Sequence, residues 1–317
     1  MRFSLCGGGS DLPEFLKYEE FGQTLTTTLN KYVYVAIHSS SNSKYRFVYS
    51  SIEECETIDQ VNHRILREVF TYENTLEKIE LFSIADLPAR GTGLGASSAF
   101  CLASVAAVNA YNLKNLSNLE CARIASHVEM QLAQSGAGFQ DQYASASGGL
   151  TLLEFTNMGL RKSESPCGTG ESEASSVDWL NDHFVFVRSA GARDSSKILS
   201  EINFIDPKIR GLQREIRDLV PIAVSSINAR DINTLGSVIE QNWELKKLIS
   251  PASTNEDVDQ LYRRGKENGA IGGKLLGAGG SGYIVFAVKS KEDFLTRMNL
   301  EDTGIVITGE RLEVQVI

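Results

Sequence analysis

Leu87-Pro-Ala-Arg-Gly91-Thr-Gly93-Leu-Gly95-Ala-Ser97-Ser98-Ala-Phe100 (LPARGTGLGASSAF) sets three glycines and two serines directly ahead of a run of small apolar residues. The residues before it, Ile79 to Ile84, alternate as a strand does, and Ala99 to Tyr111 is apolar and small enough for a buried helix. A strand, a glycine loop and a helix start in that order suit an anion. Gly91, Gly93 and Gly95 allow close backbone approach, and the helix N-terminus offers unpaired N–H groups at the positive end of its dipole. Ser97 and Ser98 add hydroxyls for a phosphate oxygen or a metal.

Other readings of this stretch compete with a phosphate loop. Gly91 to Ala96 satisfies the dinucleotide pattern G-x-G-x-x-A, but that fold needs a second strand ending in Asp or Glu about 20 residues on. The region reads NLECARIASHVEMQLA, an amphipathic helix, and the dinucleotide reading is set aside. A Walker-type loop fails as well, since Gly273-Lys274 has Asn268 where the first glycine belongs and Leu275 after the lysine. A plain turn that lets helix and sheet pack closely stays open on this stretch alone.

The chain has 317 residues, enough for a large core in two domains or one large one. A formal net charge of -9 argues against nucleic acid as the main partner, although a local basic pocket for a small phosphorylated ligand is compatible with it. Cys6, Cys55, Cys101, Cys121 and Cys167 are odd in number and contain no C-x-x-C pair, which disfavours a disulfide framework or a structural zinc. The four histidines form no metal-ligand spacing. No signal peptide or membrane-spanning run is read, so a cytoplasmic protein with no membrane partner is expected.

Strands are expected at Arg2 to Cys6, Tyr32 to Ser39, Tyr45 to Tyr49, Gly148 to Phe155, Phe184 to Ser189 and Tyr283 to Val288, with a helix over Thr57 to Tyr72. Lys162 to Ser176 (KSESPCGTGESEASS) is polar, acidic and turn-rich, and reads as a flexible surface loop near a domain boundary. Helices follow at Ile209 to Ala229, Asp231 to Leu248 and Asn255 to Asn268, giving an α+β second domain. The division expected is 1–180 and 181–317.

Glycine-rich segments recur at Gly7-Gly8-Gly9-Ser10-Asp11 and at Gly277-Ala-Gly-Gly-Ser-Gly282, each at a junction of regular elements. Three such segments suggest backbone crowding around one ligand, although each singly is compatible with a tight turn. Gly138-Phe-Gln140-Asp141-Gln142-Tyr143 follows a helix carrying Glu129. A glycine-flanked turn can hold the Asp141 carboxylate at a pocket rim, while the same residue suits a helix N-cap. Glu129, on an amphipathic helix, ordinarily faces water.

Taken together, RFSLCGGGSDLP, PARGTGLGASSAF, GFQDQYASASGG and KLLGAGGSGYIVF resemble, in order and spacing, the motifs of the GHMP superfamily of small-molecule kinases, named for galactokinase, homoserine, mevalonate and phosphomevalonate kinases. Within it the chain is most similar to the D-glycero-D-manno-heptose 7-phosphate kinases, through the GGGSDLP opening, Asn30-Lys31-Tyr32, the Q-D-Q-Y turn, RDSSKIL at Arg193 to Leu199, and the Asn242-Trp243 to Lys247 segment. The likeness runs along nearly the whole chain.

This resemblance implies a two-domain fold, an N-terminal domain like domain 2 of ribosomal protein S5 and a ferredoxin-like C-terminal domain. It implies ATP and Mg²⁺, with Gly91, Thr92, Gly93, Leu94, Gly95, Ala96, Ser97 and Ser98 around the nucleotide phosphates and Ser97 with Glu129 at the metal. Asp141 is the implied base toward the acceptor hydroxyl, Arg2 its cationic neighbour, and Gly9, Ser10 and Asp11 contacts to the sugar. Lys31, Arg193 and Lys197 are candidates for a 7-phosphate. The partner implied is a small sugar phosphate, with a homodimer left open. An unphosphorylated sugar such as fucose, arabinose or a uronic acid, and a non-catalytic sugar or nucleotide sensor, are the alternatives. Only Met1 precedes Arg2, so a truncated or frayed first strand is expected. Ala96 stands where serine is frequent and Ser281 where glycine is frequent.

Overall fold

The computed structural model describes residues 1–75, 77–88, 91–190 and 195–316, with the backbone alone at 195–197. In chain order its strands are β1 (Arg2–Cys6), β2 (Gly22–Leu29), β3 (Val33–Ser39), β4 (Tyr45–Val48), β5 (Ile52–Cys55) and β6 (Ile79–Ala85). They continue with β7 (Leu150–Thr156), β8 (Gly159–Glu164), β9 (Phe184–Arg188), β10 (Ala270–Leu275), β11 (Tyr283–Val288) and β12 (Ile307–Thr308).

Three sheets result. The first is antiparallel in the order β1-β2-β7-β8, with β12 also paired to β2. Its central strand, GQTLTTTL, buries Thr24, Thr26, Thr27 and Thr28. β-Branched threonines suit a strand, but their polarity hides the hydrophobic alternation, so this strand escapes a sequence reading. The second sheet runs β3-β6-β4-β5, with β4 and β6 parallel. The third, β10-β11-β9, is antiparallel.

β1 is not frayed. It pairs with β2 from Arg2 opposite Thr28, and Met1 and Arg2 are both buried. Phe3 meets Phe184 and Phe186 of β9 edge to face, with ring centroids 6.1 and 5.3 Å apart. Each such pair adds about 0.5–1.5 kcal/mol beyond its area burial. One core cluster joins β1 and β2 to β9, β11 and the helix Ile232–Ile249 through Phe3, Leu5, Phe186, Leu235 and Val285. A second unites the helices Arg64–Glu73, Ala96–Tyr111 and Asn118–His127 with the second sheet. The 16-residue helix Ala96–Tyr111 is apolar around most of its circumference because other elements surround it.

Several expected boundaries move. Thr57 to Tyr72 is a 3₁₀ turn, Ile58–Gln60, followed by the helix Arg64–Glu73 capped at His63. The expected loop Lys162 to Ser176 ends β8 and begins the helix Glu171–His183, whose Ser176, Val177 and Leu180 are buried. Acidic residues in that helix's first turn suit its dipole, which the polarity of the stretch conceals. Ile209 to Ala229 is two helices, Pro207–Asp218 and Val220–Asn228, since Pro221 cannot continue the first. After the second half, β12 returns to β2 in the first sheet.

Candidate active site

A cleft of about 830 Å³ lies among the end of β1, the loop before helix Ala96–Tyr111, the turn before helix Gln140–Ser147, helix Ile232–Ile249 and the residues following β10. That volume is within the usual range for a small-molecule site.

Its glycine loop is shaped by contacts that exclude side chains. Gly91, Gly93 and Gly95 have φ of 76°, 73° and 69°, the left-handed region that glycine adopts without strain. A Cβ on Gly93 would lie 2.4 Å from the Leu276 carbonyl oxygen, and one on Gly277 would lie 2.5 Å from Gly93 Cα. Two of the three glycine segments therefore stack backbone to backbone. The Tyr283 N–H donates to the Thr92 carbonyl at 3.2 Å, tying the loop to β11. Gly95 is the helix N-cap with no side chain to cap it, which leaves the first N–H groups for an anion. Thr92, Ala96, Ser97 and Ser98 line the cleft. Leu94 does not; it is fully buried in the core.

Arg2 crosses the cleft floor. Its backbone N–H donates to the Leu94 carbonyl at 3.1 Å and its Nη1 to the Gly93 carbonyl at 3.2 Å. Its Nε donates to Asp141 Oδ1 at 2.6 Å and its Nη2 to Asp141 Oδ2, a bidentate pair. The guanidinium rests on Gly95, where a Cβ would meet Arg2 Nε at 3.1 Å. Asp141 lies in the first turn of helix Gln140–Ser147; Phe139, not Asp141, is the N-cap. Its carboxylate is thus free of capping and sits at the helix end that favours negative charge.

Asp11 lies behind Asp141. Its Oδ1 accepts the Gly9 N–H and its Oδ2 the Gln140 N–H, both at 3.0 Å. Burial raises its pKa to about 6, the nearby Asp141 charge adds to the rise, and the Gln140 and Gly9 bonds oppose it. Gly138 makes room for it, because a Cβ there would sit 2.0 Å from Asp11 Oδ2. Ser10 is absent from the cleft wall. Its single O–H is shared between the Gly7 and Gln23 carbonyls and its oxygen accepts the Gln23 N–H, pinning the turn to β2.

Glu129 does not face water. It lies in a π-helical turn, Val128–Leu132, a distortion frequent at functional sites, and is 2% exposed. Ser97 Oγ donates to its Oε1 at 3.1 Å and Gln142 Nε2 to its Oε2 at 2.7 Å. Burial raises its pKa, and the hydrogen bonds of Ser98, Gln142 and Ser97 pull the other way. No cluster of three or more His, Cys, Asp or Glu side chains suited to a metal occurs among the described residues. Ser97 with Glu129 instead makes a two-donor oxygen set, which fits Mg²⁺ because that ion takes its remaining ligands from water and phosphate.

Lys31 is not among the residues lining the cleft; its carbonyl accepts the Met1 ammonium at 2.5 Å. Arg193 lies outside the described residues, and the side chain of Lys197 does too. Sequence reasoning missed Gln142, which orients Glu129, Gln213, whose Nε2 donates to the Gly8 carbonyl at 3.2 Å, and the cleft lysines Lys246 and Lys274. Gln142 and Lys246 lie in segments that carry the family resemblance, yet their spacing says nothing about which way the side chains point.

The family model for the GHMP kinases N terminal domain matches residues 60–149, and that for the GHMP kinases C terminal domain matches 223–299, together more than half of the chain. The chain belongs to the GHMP kinases. As a GHMP kinase it is an ATP-dependent sugar kinase. Among curated proteins it is similar to D-glycero-alpha-D-manno-heptose 7-phosphate kinase of Campylobacter jejuni, 25% identical over 309 residues, covering 91% of this chain and 87% of the relative. It is also similar to mevalonate kinase of Saccharolobus solfataricus, 29% identical and covering 72% and 69%. Among solved structures, a D-glycero-D-manno-heptose 1-phosphate kinase from Bacteroides thetaiotaomicron superposes with a TM-score of 0.76 at 21% identity, covering 100% of this chain and 98% of that one. This last likeness shows the same GHMP kinase fold.

Proposed function

We propose that this GHMP kinase is a sugar kinase that transfers the γ-phosphoryl group of ATP to the anomeric hydroxyl of a heptose 7-phosphate. The product, a 1,7-bisphosphate, is suited to the synthesis of nucleotide-activated heptose for surface polysaccharide. The reading is supported by whole-length similarity to a heptose 7-phosphate kinase and by the bidentate Arg2–Asp141 pair beside the glycine loop. The pair carries it: a carboxylate oriented by a cation, within one cleft with a phosphate cradle, is what hydroxyl phosphorylation needs.

In this reading the loop and helix N-terminus hold the nucleotide phosphates through backbone N–H groups. Asp11 accepts hydrogen bonds from sugar hydroxyls. Asp141 takes the proton from the anomeric O–H as the oxygen bonds to phosphorus, the bond between phosphorus and the β,γ-bridging oxygen breaks, and ADP leaves. Arg2 keeps the Asp141 carboxylate aimed and offsets charge at the transferring group. Ser97 and Glu129 would hold Mg²⁺, which neutralises phosphate charge when bound. We place the reaction in the cytoplasm, where ATP is supplied; all five cysteines are free, and no helix among the described residues is long and apolar enough to cross a membrane.

A coupled ADP-release assay over free sugars and sugar monophosphates tests this reading. Turnover selective for a heptose 7-phosphate is expected. Turnover confined to a free sugar would transfer the acceptor to the alternative, and none on any sugar would favour a sensor.

A further inference from the structure

Two lysines on the cleft wall have no acidic partner among the described residues. Lys246 follows Asn242 by one turn on helix Ile232–Ile249, and its ammonium donates to the Gly277 carbonyl. Lys274, at 6% exposure, donates to the Leu5 carbonyl at 3.1 Å and reaches Asn242 Oδ1 at 3.5 Å. Among the described residues no carboxylate stands within ion-pair distance of either. The adjacent Lys247 behaves differently, pairing with Glu244 at 2.8 Å.

Burial, followed by repulsion from Lys274 and from Arg2, pushes Lys246 down to about 7; burial and Arg2 push Lys274 down to about 8, with Cys6 opposing. An ammonium carries three donors, and neutral carbonyl and amide acceptors do not balance its charge. The fold therefore gathers cationic groups against a cleft in which, among the described residues, no carboxylate pairs with either lysine. A phosphate dianion would supply that charge and accept the remaining N–H bonds.

Lys274 lies on the acceptor side of the cleft, and Lys246, bonded to the Gly277 carbonyl beside Gly93, stands between that side and the glycine loop. Lys274 hangs from the Leu5 carbonyl in β1, which runs directly into the Gly7–Asp11 turn; Gln213 holds that turn at the Gly8 carbonyl. The nucleotide phosphates already have the glycine loop and the N-terminus of helix Ala96–Tyr111. We propose that Lys246 and Lys274 form the seat for the acceptor's own phosphate monoester, so that the enzyme selects a phosphorylated sugar over a free one. This rests on the sugar kinase reading and names the residues that give it its substrate class.

Calorimetric titration with D-glycero-D-manno-heptose 7-phosphate, in the presence of a non-hydrolysable ATP analogue, tests the seat in wild type, Lys246→Met and Lys274→Met. Each substitution is expected to weaken phosphosugar binding about tenfold or more, as loss of a charge-assisted hydrogen bond does, with affinity for the ATP analogue within about twofold of wild type. Should the methionine variants not fold, Lys246→Gln and Lys274→Gln keep a donor for the carbonyls without the charge and read the same quantity. Unchanged phosphosugar affinity in both variants overturns the seat, and so does an equal loss of ATP-analogue affinity. A wild-type protein that binds and phosphorylates only free sugars overturns the acceptor reading itself, which separates the two failures.

Discussion

Arg2 and Asp141, 139 residues apart in sequence, meet through two side-chain N–H···O bonds on the floor of one cleft. The pair joins the first strand to the first turn of the helix Gln140–Ser147, and the arginine also reaches the Gly93 carbonyl of the glycine loop. Carboxylate, guanidinium and glycine loop are thereby held in one hydrogen-bonded unit.

Asp141→Asn should lower kcat by about 10²–10⁴-fold, the usual contribution of a positioned base, while leaving ATP-analogue affinity close to wild type. Arg2→Lys should also lower kcat, because one ammonium cannot reproduce a planar bidentate contact and the Gly93 bond together. Steady-state kinetics with parallel nucleotide titrations check both. Near wild-type turnover in Asp141→Asn would remove that residue from the mechanism.

Ser97→Ala combined with Glu129→Gln removes both oxygen donors of the proposed metal set and should raise the Mg²⁺ concentration needed for half-maximal rate by tenfold or more, on the order expected for lost ligands. Turnover measured against free Mg²⁺ at fixed ATP reads this shift. An unchanged curve would exclude Ser97 and Glu129 as ligands.

Gly138→Ala should weaken acceptor binding and lower the melting temperature, since the new Cβ would press on Asp11 Oδ2 from 2.0 Å. Gly211→Ala is its contrast. That position lies inside helix Pro207–Asp218 with open space around it, so alanine should stabilise the protein by about 1 kcal/mol. Denaturant melts of the two variants should move in opposite directions.

The raised pKa of Asp11 sets the sign of a pH dependence. Its folded-state pKa of about 6 lies above the ordinary 3.8, so between those values the folded protein binds more protons than the unfolded chain. This group's contribution to stability therefore grows as pH falls from about 6 toward 3.8, by about 1.4 kcal/mol per unit of pKa difference, and is absent well above 6. Acceptor binding should run the other way. Protonation removes an acceptor for sugar hydroxyls, so KM for the sugar should rise below about pH 6 while ATP-analogue affinity changes less. A flat acceptor KM from pH 5 to 8 would show that Asp11 does not contact the sugar as a carboxylate.

The glycine loop, the Gly7–Asp11 turn and the Q-D-Q-Y turn were legible because close backbone approach demands glycine and because their residue types are unusual in combination. β2 was not, since buried threonines read as polar. Nor were Lys246 and Lys274: both are separated in sequence from Arg2 and Asp11, and only the packing of helix Ile232–Ile249 against β1 and β10 brings them to the cleft. Glu129 looked like a surface residue because a π turn, which redirects a side chain from its regular helical face, leaves no trace in periodicity.

Phosphoryl transfer to the anomeric hydroxyl of a sugar that already carries a phosphate is the reaction proposed for this cleft. Proton-coupled ³¹P NMR of a reaction containing heptose 7-phosphate, ATP and Mg²⁺ tests it most directly. One ADP per new phosphate ester is expected, with the new signal coupled to the anomeric proton and the 7-phosphate retained. No new ester, or a phosphate coupled to any other sugar proton, would contradict it.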